Sequence, residues 1–316
     1  MRTLRRMLGS QEAVLLLVIV VLFAVVGTIN PRFLAERNLQ SIFLGNAYIA
    51  VAAIGMSMVI VSGNIDISVG SLIGVLATVS GTLAVDGVPI LLAWTIPIAL
   101  SIVVTTAMGL LVAYLRIPSI VVTLGMLSIL KGGLIVVTGG AWINGLPDGF
   151  ALAQLKPMGV PMPIWFMASL TVAAALWMHR SATGRAIYAV GGNAEAARLS
   201  GIDRERTIVK VFAIHGLFVG IAAILFATQL SVIQSTVPAN LELTIITAAV
   251  VGGVSILGGT GTVVGATLAA ILLAGIASSL IFVDLSPYWL RSVQGVLILL
   301  TVLADLWRRR RQRAGR

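Results

Sequence analysis

Ten apolar stretches follow one another along this chain, at about 12–29, 45–62, 68–84, 89–115, 118–138, 162–178, 208–230, 241–257, 263–283 and 287–306. A helix that crosses the hydrocarbon core of a bilayer needs roughly 20 predominantly apolar residues, and few other folds accommodate such a succession. Composition agrees. Of the 316 residues 59% are hydrophobic and 10% charged, whereas a soluble domain carries about 25% charged residues. The apolar excess must face lipid, or other helices packed in lipid. The expected fold is all-α: a polytopic transmembrane helical bundle of about ten spans, occupying residues 1–316 as a single domain. A soluble enzyme, a disordered chain and a secreted disulfide scaffold are excluded. The sequence has no Cys and only two His, His179 and His215, so Cys-ligated metal sites are excluded too and no metal site is expected. Two stretches carry signs of irregularity. Pro97 is expected to kink or break 89–115. Lys131 and three Gly within 118–138 point to a tilted or partly re-entrant segment.

Charge placement gives an orientation. Ten spans put both termini on one side. That side then holds three Arg in Met1–Arg6, Arg116, six basic residues from Arg180 to Lys210 and six Arg in Arg308–Arg316, together 16 of the 21 Lys and Arg. The other side holds Arg32, Arg37 and Lys156. Positive charge beside spans marks the cytoplasmic face, so both termini and the loop 179–206 are expected in the cytosol. The loop 139–161 is expected outside. The first span follows Arg2, Arg5 and Arg6 without an A-x-A site and reads as an uncleaved anchor. The net charge of +10 sits in tails that abut spans, so the basic tail 307–316 is expected to touch anionic lipid rather than nucleic acid.

Several chemistries lack their residues. There is no G-x-x-x-x-G-K-[ST], so ATP is not bound here through a P-loop. There is no H-E-x-x-H and no T-V-G-Y-G filter, and no Ser or Asp nucleophile has a base beside it. His215, within a span, is expected to hydrogen-bond between helices rather than to relay protons. Apart from Lys131, Glu242 and Arg291 the spans hold almost no ionisable groups. An ion-driven carrier needs acidic groups at depth, so energy is expected to come from a partner.

Three tracts carry the remaining signal. In the first, Gly63–Ser71, Asp66 or Ser68 can accept from the free N–H groups that open a helix. The functional alternative makes Asn64, Asp66 and Ser68, with Thr123, polar contacts of a translocation pathway. In the second, Gly191–Asp203, Asn193 is a good N-cap, Glu195 and Arg198 suit the two ends of a short helix, and Gly201 suits its termination. Such a helix in the cytosolic loop is either a plain surface element or a docking site for a soluble partner. In the third, Gly252–Gly265, the glycines Gly252, Gly253, Gly258, Gly259, Gly261 and Gly265 allow a tight turn and close helix packing. Without Lys or a strand before it, this tract is no phosphate cradle. The tract Ala52–Gly70 (AAIGMSMVIVSGNIDISVG) also echoes Ala248–Gly265 (AAVVGGVSILGGTGTVVG), and internal duplication is common in transporters.

Together, and in this order, GNIDISVGS, LRIPSIVVTLGMLSILKGG, GGNAEAARLSGI and GGVSILGGTGTVVGA resemble the membrane subunit of a bacterial ABC sugar importer, in the ribose, xylose and rhamnose group of binding-protein-dependent permeases. The resemblance runs from about residue 12 to residue 306. Leu111–Pro147 looks nearest to the autoinducer-2 and rhamnose permeases. It implies a multi-pass protein of the bacterial inner membrane that forms the translocation pathway and has no cofactor or catalytic site of its own. It also implies three protein partners: a cytoplasmic ABC ATPase docked on Gly192, Asn193, Glu195, Ala197, Arg198 and Gly201, a second permease subunit in a homodimer or heterodimer, and a periplasmic sugar-binding protein. The alternative is a stand-alone secondary carrier or channel for a small polar solute.

Overall fold

A computed structural model describes residues 11–314. Its helices are α1 (Gln11–Ile29), α2 (Glu36–Val61), α3 (Val69–Val85), α4 (Ile90–Tyr114), α5 (Ser119–Thr138), α6 (Met162–Arg180), α7 (Ala182–Gly192), α8 (Ala194–Leu199), α9 (Arg204–Ala227), α10 (Leu241–Val251), α11 (Val263–Phe282) and α12 (Trp289–Ala314). Eight are long and apolar enough to cross a membrane, and the apolar helices α3 and α10 are shorter. The ten expected spans therefore become eight long helices and two short ones. The expected span 241–257 is corrected most. Gly252 and Gly253 end α10 at Val251 after 11 residues, a rise of about 16 Å, and 252–262 is an irregular loop. The second helix begins at Glu36 rather than 45. Pro97 does not break α4, because the carbonyl of Ala93 that its missing N–H leaves free accepts the Ser80 hydroxyl at 2.8 Å. Residues 119–138 form one continuous helix, not a re-entrant segment. The basic residues of Met1–Arg6 lie outside the described residues, and the run that starts at Arg308 continues α12 as far as Ala314.

Helix α2 is the hub. From Ala47 to Val61 every residue but Tyr48 is buried, as expected of a helix that is apolar all round. Helices α4 and α9 approach closely where side chains are missing. A Cβ on Gly216 would lie 2.8 Å from the Ile102 Cα, one on Gly220 2.7 Å from the Ile98 Cα, and one on Gly109 2.8 Å from the Phe212 Cβ. Without a hydrophobic drive between helices in lipid, such small-residue packing and interhelical hydrogen bonds hold a bundle together. Thr171 on α6 and Thr267 on α11 add one such bond at 2.9 Å. The outer helices α1, α5 and α12 turn Leu17, Val136, Val137 and Leu303 outwards.

Between α9 and α10 the chain forms an inserted arm, 228–240. Its Ile233 packs on Gly81, Val237 and Pro238 on Gly74, and Leu241 and Glu242 of α10 on Gly70. From Gly81 to Gly74 the arm thus descends beside α3 for about 10 Å, the rise of seven helical residues, and α10 continues to Gly70. Near its upper end β2 (Ile233–Gln234) pairs antiparallel with β1 (Trp142–Ile143) of the loop 139–161, Trp142 opposite Gln234. At this end of the bundle the Asn30 amide donates to the Phe282 carbonyl at 3.1 Å. At the other end the turn 62–68, the start of α5, the segment 181–203 and the loop 252–262 gather. There Gly259 N–H donates to the Val61 carbonyl at 2.8 Å and Thr262 donates to Glu12 at 2.7 Å.

Candidate functional site

The turn between α2 and α3 is built around Asp66, which is fully buried. Its Oδ1 accepts the Ser68 N–H at 2.8 Å and the Ser68 hydroxyl at 2.6 Å. Its Oδ2 lies 3.1 Å from Nε2 of His215, also fully buried. Ser68 therefore donates its hydroxyl to Asp66 and does not cap α3, and Asp66 closes the turn itself. Ser119 accepts the Ile65 N–H at 3.2 Å, and the Thr123 hydroxyl lies 3.4 Å from the Ile65 carbonyl. Both anchor the turn to α5. Asn64 folds back, its amide donating to the Ser62 hydroxyl at 3.0 Å. Asn64, Asp66, Ser68 and Thr123 thus converge on one turn, each buried within the chain.

Sequence reasoning placed His215 in a helix contact but did not find its partner. His215 stands eleven residues into α9, about 16 Å from its start. Gly55 was the overlooked signal. A Cβ there would sit 2.7 Å from Nδ1 of His215 and 3.0 Å from the Phe218 Cβ, so the missing side chain is what lets the imidazole reach the turn. Nδ1 itself has no hydrogen-bond partner among the described residues.

The second element is α8. Asn193 caps it as expected, accepting from the N–H groups of Glu195 at 3.1 Å and Ala196 at 3.0 Å. Gly201, at φ +80°, ends it, with the Ile202 N–H returning to the Ala197 carbonyl at 3.0 Å. Glu195 and Arg198 bind each other at 2.6 Å with both side chains exposed, and that bond holds the Arg198 guanidinium above its usual range. Gly192, Asn193, Glu195, Arg198 and Gly201 are exposed, whereas Ala197 turns inwards and is buried. The exposed apolar residue is Leu199, 78% accessible, which sequence reasoning passed over because a single Leu carries no pattern.

The glycine tract joins these elements. Gly252 and Gly265 face each other across the base of the loop, Gly253 lies against Gln11, and Gly261 wraps Val254. Gly258 and Gly259 meet Gly63 at the end of α2 and Gly191–Gly192 at the end of α7. The Tyr188 hydroxyl on α7 donates to the Gly261 carbonyl at 2.8 Å, and burial pushes its pKa up. Lys131 and Arg291 lie exposed on outer helices, and Glu242 is half-buried at the start of α10.

Eight helices long and apolar enough to cross a membrane, with an inserted arm and a capped surface helix packed by a buried polar turn, are the build of a polytopic membrane protein. The chain belongs to the family described as "Branched-chain amino acid transport system / permease component", whose pattern it matches over residues 38–302. It is 36% identical over 300 residues to the autoinducer 2 import system permease protein LsrC of Salmonella typhi, covering 94% of this chain and 86% of the relative. To the protein of the same name from Yersinia enterocolitica it is 36% identical over 303 residues, covering 94% and 83%. To that from Enterobacter sp. (strain 638) it is 34% identical over 304 residues, covering 96% and 88%. No solved structure matches. The chain is thus a permease subunit of the ABC importer class and a multi-pass protein of the bacterial inner membrane, not an enzyme. These relatives agree with the resemblance carried by Leu111–Pro147.

Proposed function

We propose that this chain forms the translocation pathway of an ATP-driven importer for a sugar-like solute of the autoinducer-2 type, the sugars ribose, rhamnose and xylose being the other members of that class. Near end-to-end similarity to autoinducer-2 import permeases carries this reading. In it a cytoplasmic ABC ATPase docks on Gly192–Gly201, a second permease subunit completes the pathway, and a periplasmic binding protein delivers the solute. The exposed face of Glu195, Ala196, Arg198 and Leu199 supports docking there, with buried Ala197 anchoring the helix from beneath. Asn64, Asp66, Ser68 and Thr123 shape the pathway wall from behind, since all four are buried within one chain. Both termini and α8 lie in the cytosol, in keeping with the charge distribution.

The test is uptake of labelled autoinducer-2, ribose, rhamnose and xylose by cells expressing the complete system, with and without the ATPase. Uptake of autoinducer-2 that needs the ATPase is expected. Uptake that persists without the ATPase would replace this reading by the stand-alone carrier. ATPase-dependent uptake of a different sugar would keep the importer and change its solute. For orientation, Ser200→Cys in this Cys-free chain should resist impermeant thiol reagents added outside intact cells, and labelling there would reverse the topology.

A further inference from the structure

Between α8 and the Asp66 turn, three stretches of backbone meet with no side chain between them. A Cβ on Gly191 would fall on the carbonyl oxygen of Val61 and 2.9 Å from the Gly259 nitrogen. That same carbonyl accepts the Gly259 N–H at 2.8 Å. A Cβ on Gly259 would lie 2.5 Å from the Gly192 Cα, and one on Gly258 2.8 Å from the Gly191 carbonyl oxygen and 3.1 Å from the Gly63 Cα. Gly258 and Gly259 have φ of +79° and +77°, so Gly suits the bend as well as the contact. The Tyr188–Gly261 hydrogen bond, 2.8 Å long, ties α7 to the same loop at a second point. Helix α8 begins two residues after Gly192, and Asp66 follows Val61 by five.

We propose that Gly191, Gly258 and Gly259, seated on Val61 and braced by Tyr188, form a backbone joint that transmits movement of α8 to the Asp66–Ser68 turn and so couples ATP hydrolysis to transport. The proposal rests on docking at Gly192–Gly201. A joint made of side chains could absorb a displacement by changing rotamers. Interlocked glycine backbones have no rotamers to change, and close-packed interiors transmit strain rather than dissipate it. Sliding the joint would break the Gly259–Val61 bond and the glycine contacts together, so α7, the loop 252–262 and the end of α2 move as one body. These residues act by positioning and touch no solute in this scheme.

The experiment uses the complete importer reconstituted in vesicles and reads two quantities: ATPase retained on purification, and solute transported per ATP hydrolysed. Gly191→Ala should retain the ATPase yet lower transport per ATP by about fivefold or more, the smallest effect expected of a coupling contact. Tyr188→Phe removes one hydroxyl and should lower the ratio by about threefold, as loss of one hydrogen bond allows. Gly45→Ala, on α2 with open space around it, is the control and should match the wild type. A wild-type ratio in Gly191→Ala would overturn the joint. If Gly191→Ala does not reach the membrane, Tyr188→Phe decides: a lowered ratio with the ATPase retained supports the joint, and a wild-type ratio overturns it. Docking is judged separately, since a misplaced docking site would leave ATPase retention unchanged in Leu199→Asp whatever the ratio in the joint variants.

Discussion

Two acid–base pairs sit at the two ends of the path from α8 to the turn between α2 and α3, and the shorter one matters less. Glu195 and Arg198 on α8 are 2.6 Å apart with both side chains about two-thirds exposed, while Asp66 and His215 are 3.1 Å apart with no exposure at all. On a solvated helix the ion pair replaces water contacts of nearly equal worth, and salt screens it. In the buried turn a group that loses its partner stays out of reach of bulk solvent, so each depends on the other. Burial rather than distance ranks the two pairs. The exposed pair is free to be exchanged for contacts with another protein, and the buried one holds a fixed geometry.

The largest effect should come from Asp66→Ala, which strips Ser68 and His215 of their common acceptor and should cost about 3 kcal/mol or more. Thermal unfolding in detergent measures it. Adding His215→Leu to that variant should recover part of the loss, with a coupling of about 0.5–3 kcal/mol in a double-mutant cycle. Strict additivity would mean that the 3.1 Å contact carries no weight. Next comes Gly55→Ala, which drives a methyl against His215 and Phe218 and should destabilise by about 1–3 kcal/mol. A wild-type melting temperature would show that α2 and α9 have slack there. Leu199→Asp should leave stability intact and weaken ATPase association by about tenfold, the loss expected when a buried apolar anchor of an interface is removed. Co-purification with the ATPase reads this. The smallest change is expected from Arg198→Ala. Its melting temperature should match the wild type, and a clear drop would place the exposed pair on a par with the buried one and break the comparison.

How much of this was legible depended on whether a feature is local. The caps of α8 were readable from Asn193 and Gly201 because capping is decided within a few residues. The apolar runs located the eight long apolar helices and the two shorter ones, α3 and α10. They misjudged α10, where Gly252 and Gly253 end a helix that hydropathy alone would carry to 257. The Asp66–His215 pair was not legible. Its members are 149 residues apart, and the residue that permits the contact, Gly55, has no chemistry of its own to attract notice. The same holds for the meeting of Gly63, Gly191 and Gly259. Each looks like an ordinary turn glycine, and only the fold brings them together. Pro97 misled for a related reason, since the group that makes it harmless, Ser80, lies on another helix.

The arm 228–240 has a consequence for hydration. Over its descent beside α3 it lacks the internal ladder that seals a helical backbone, and Gln234, Thr236 and Ala239 lie exposed on it. Hydrocarbon offers no partner to an open amide or carbonyl, and each one left bare there costs several kcal/mol. Acyl chains therefore cannot cover this flank of the bundle. It must border water or another polypeptide, so the apolar outer face carried by α1, α4, α5, α6 and α12 breaks where the arm enters. Detergent and lipid should wrap the isolated chain as an incomplete belt, with a wet seam down the side of α3.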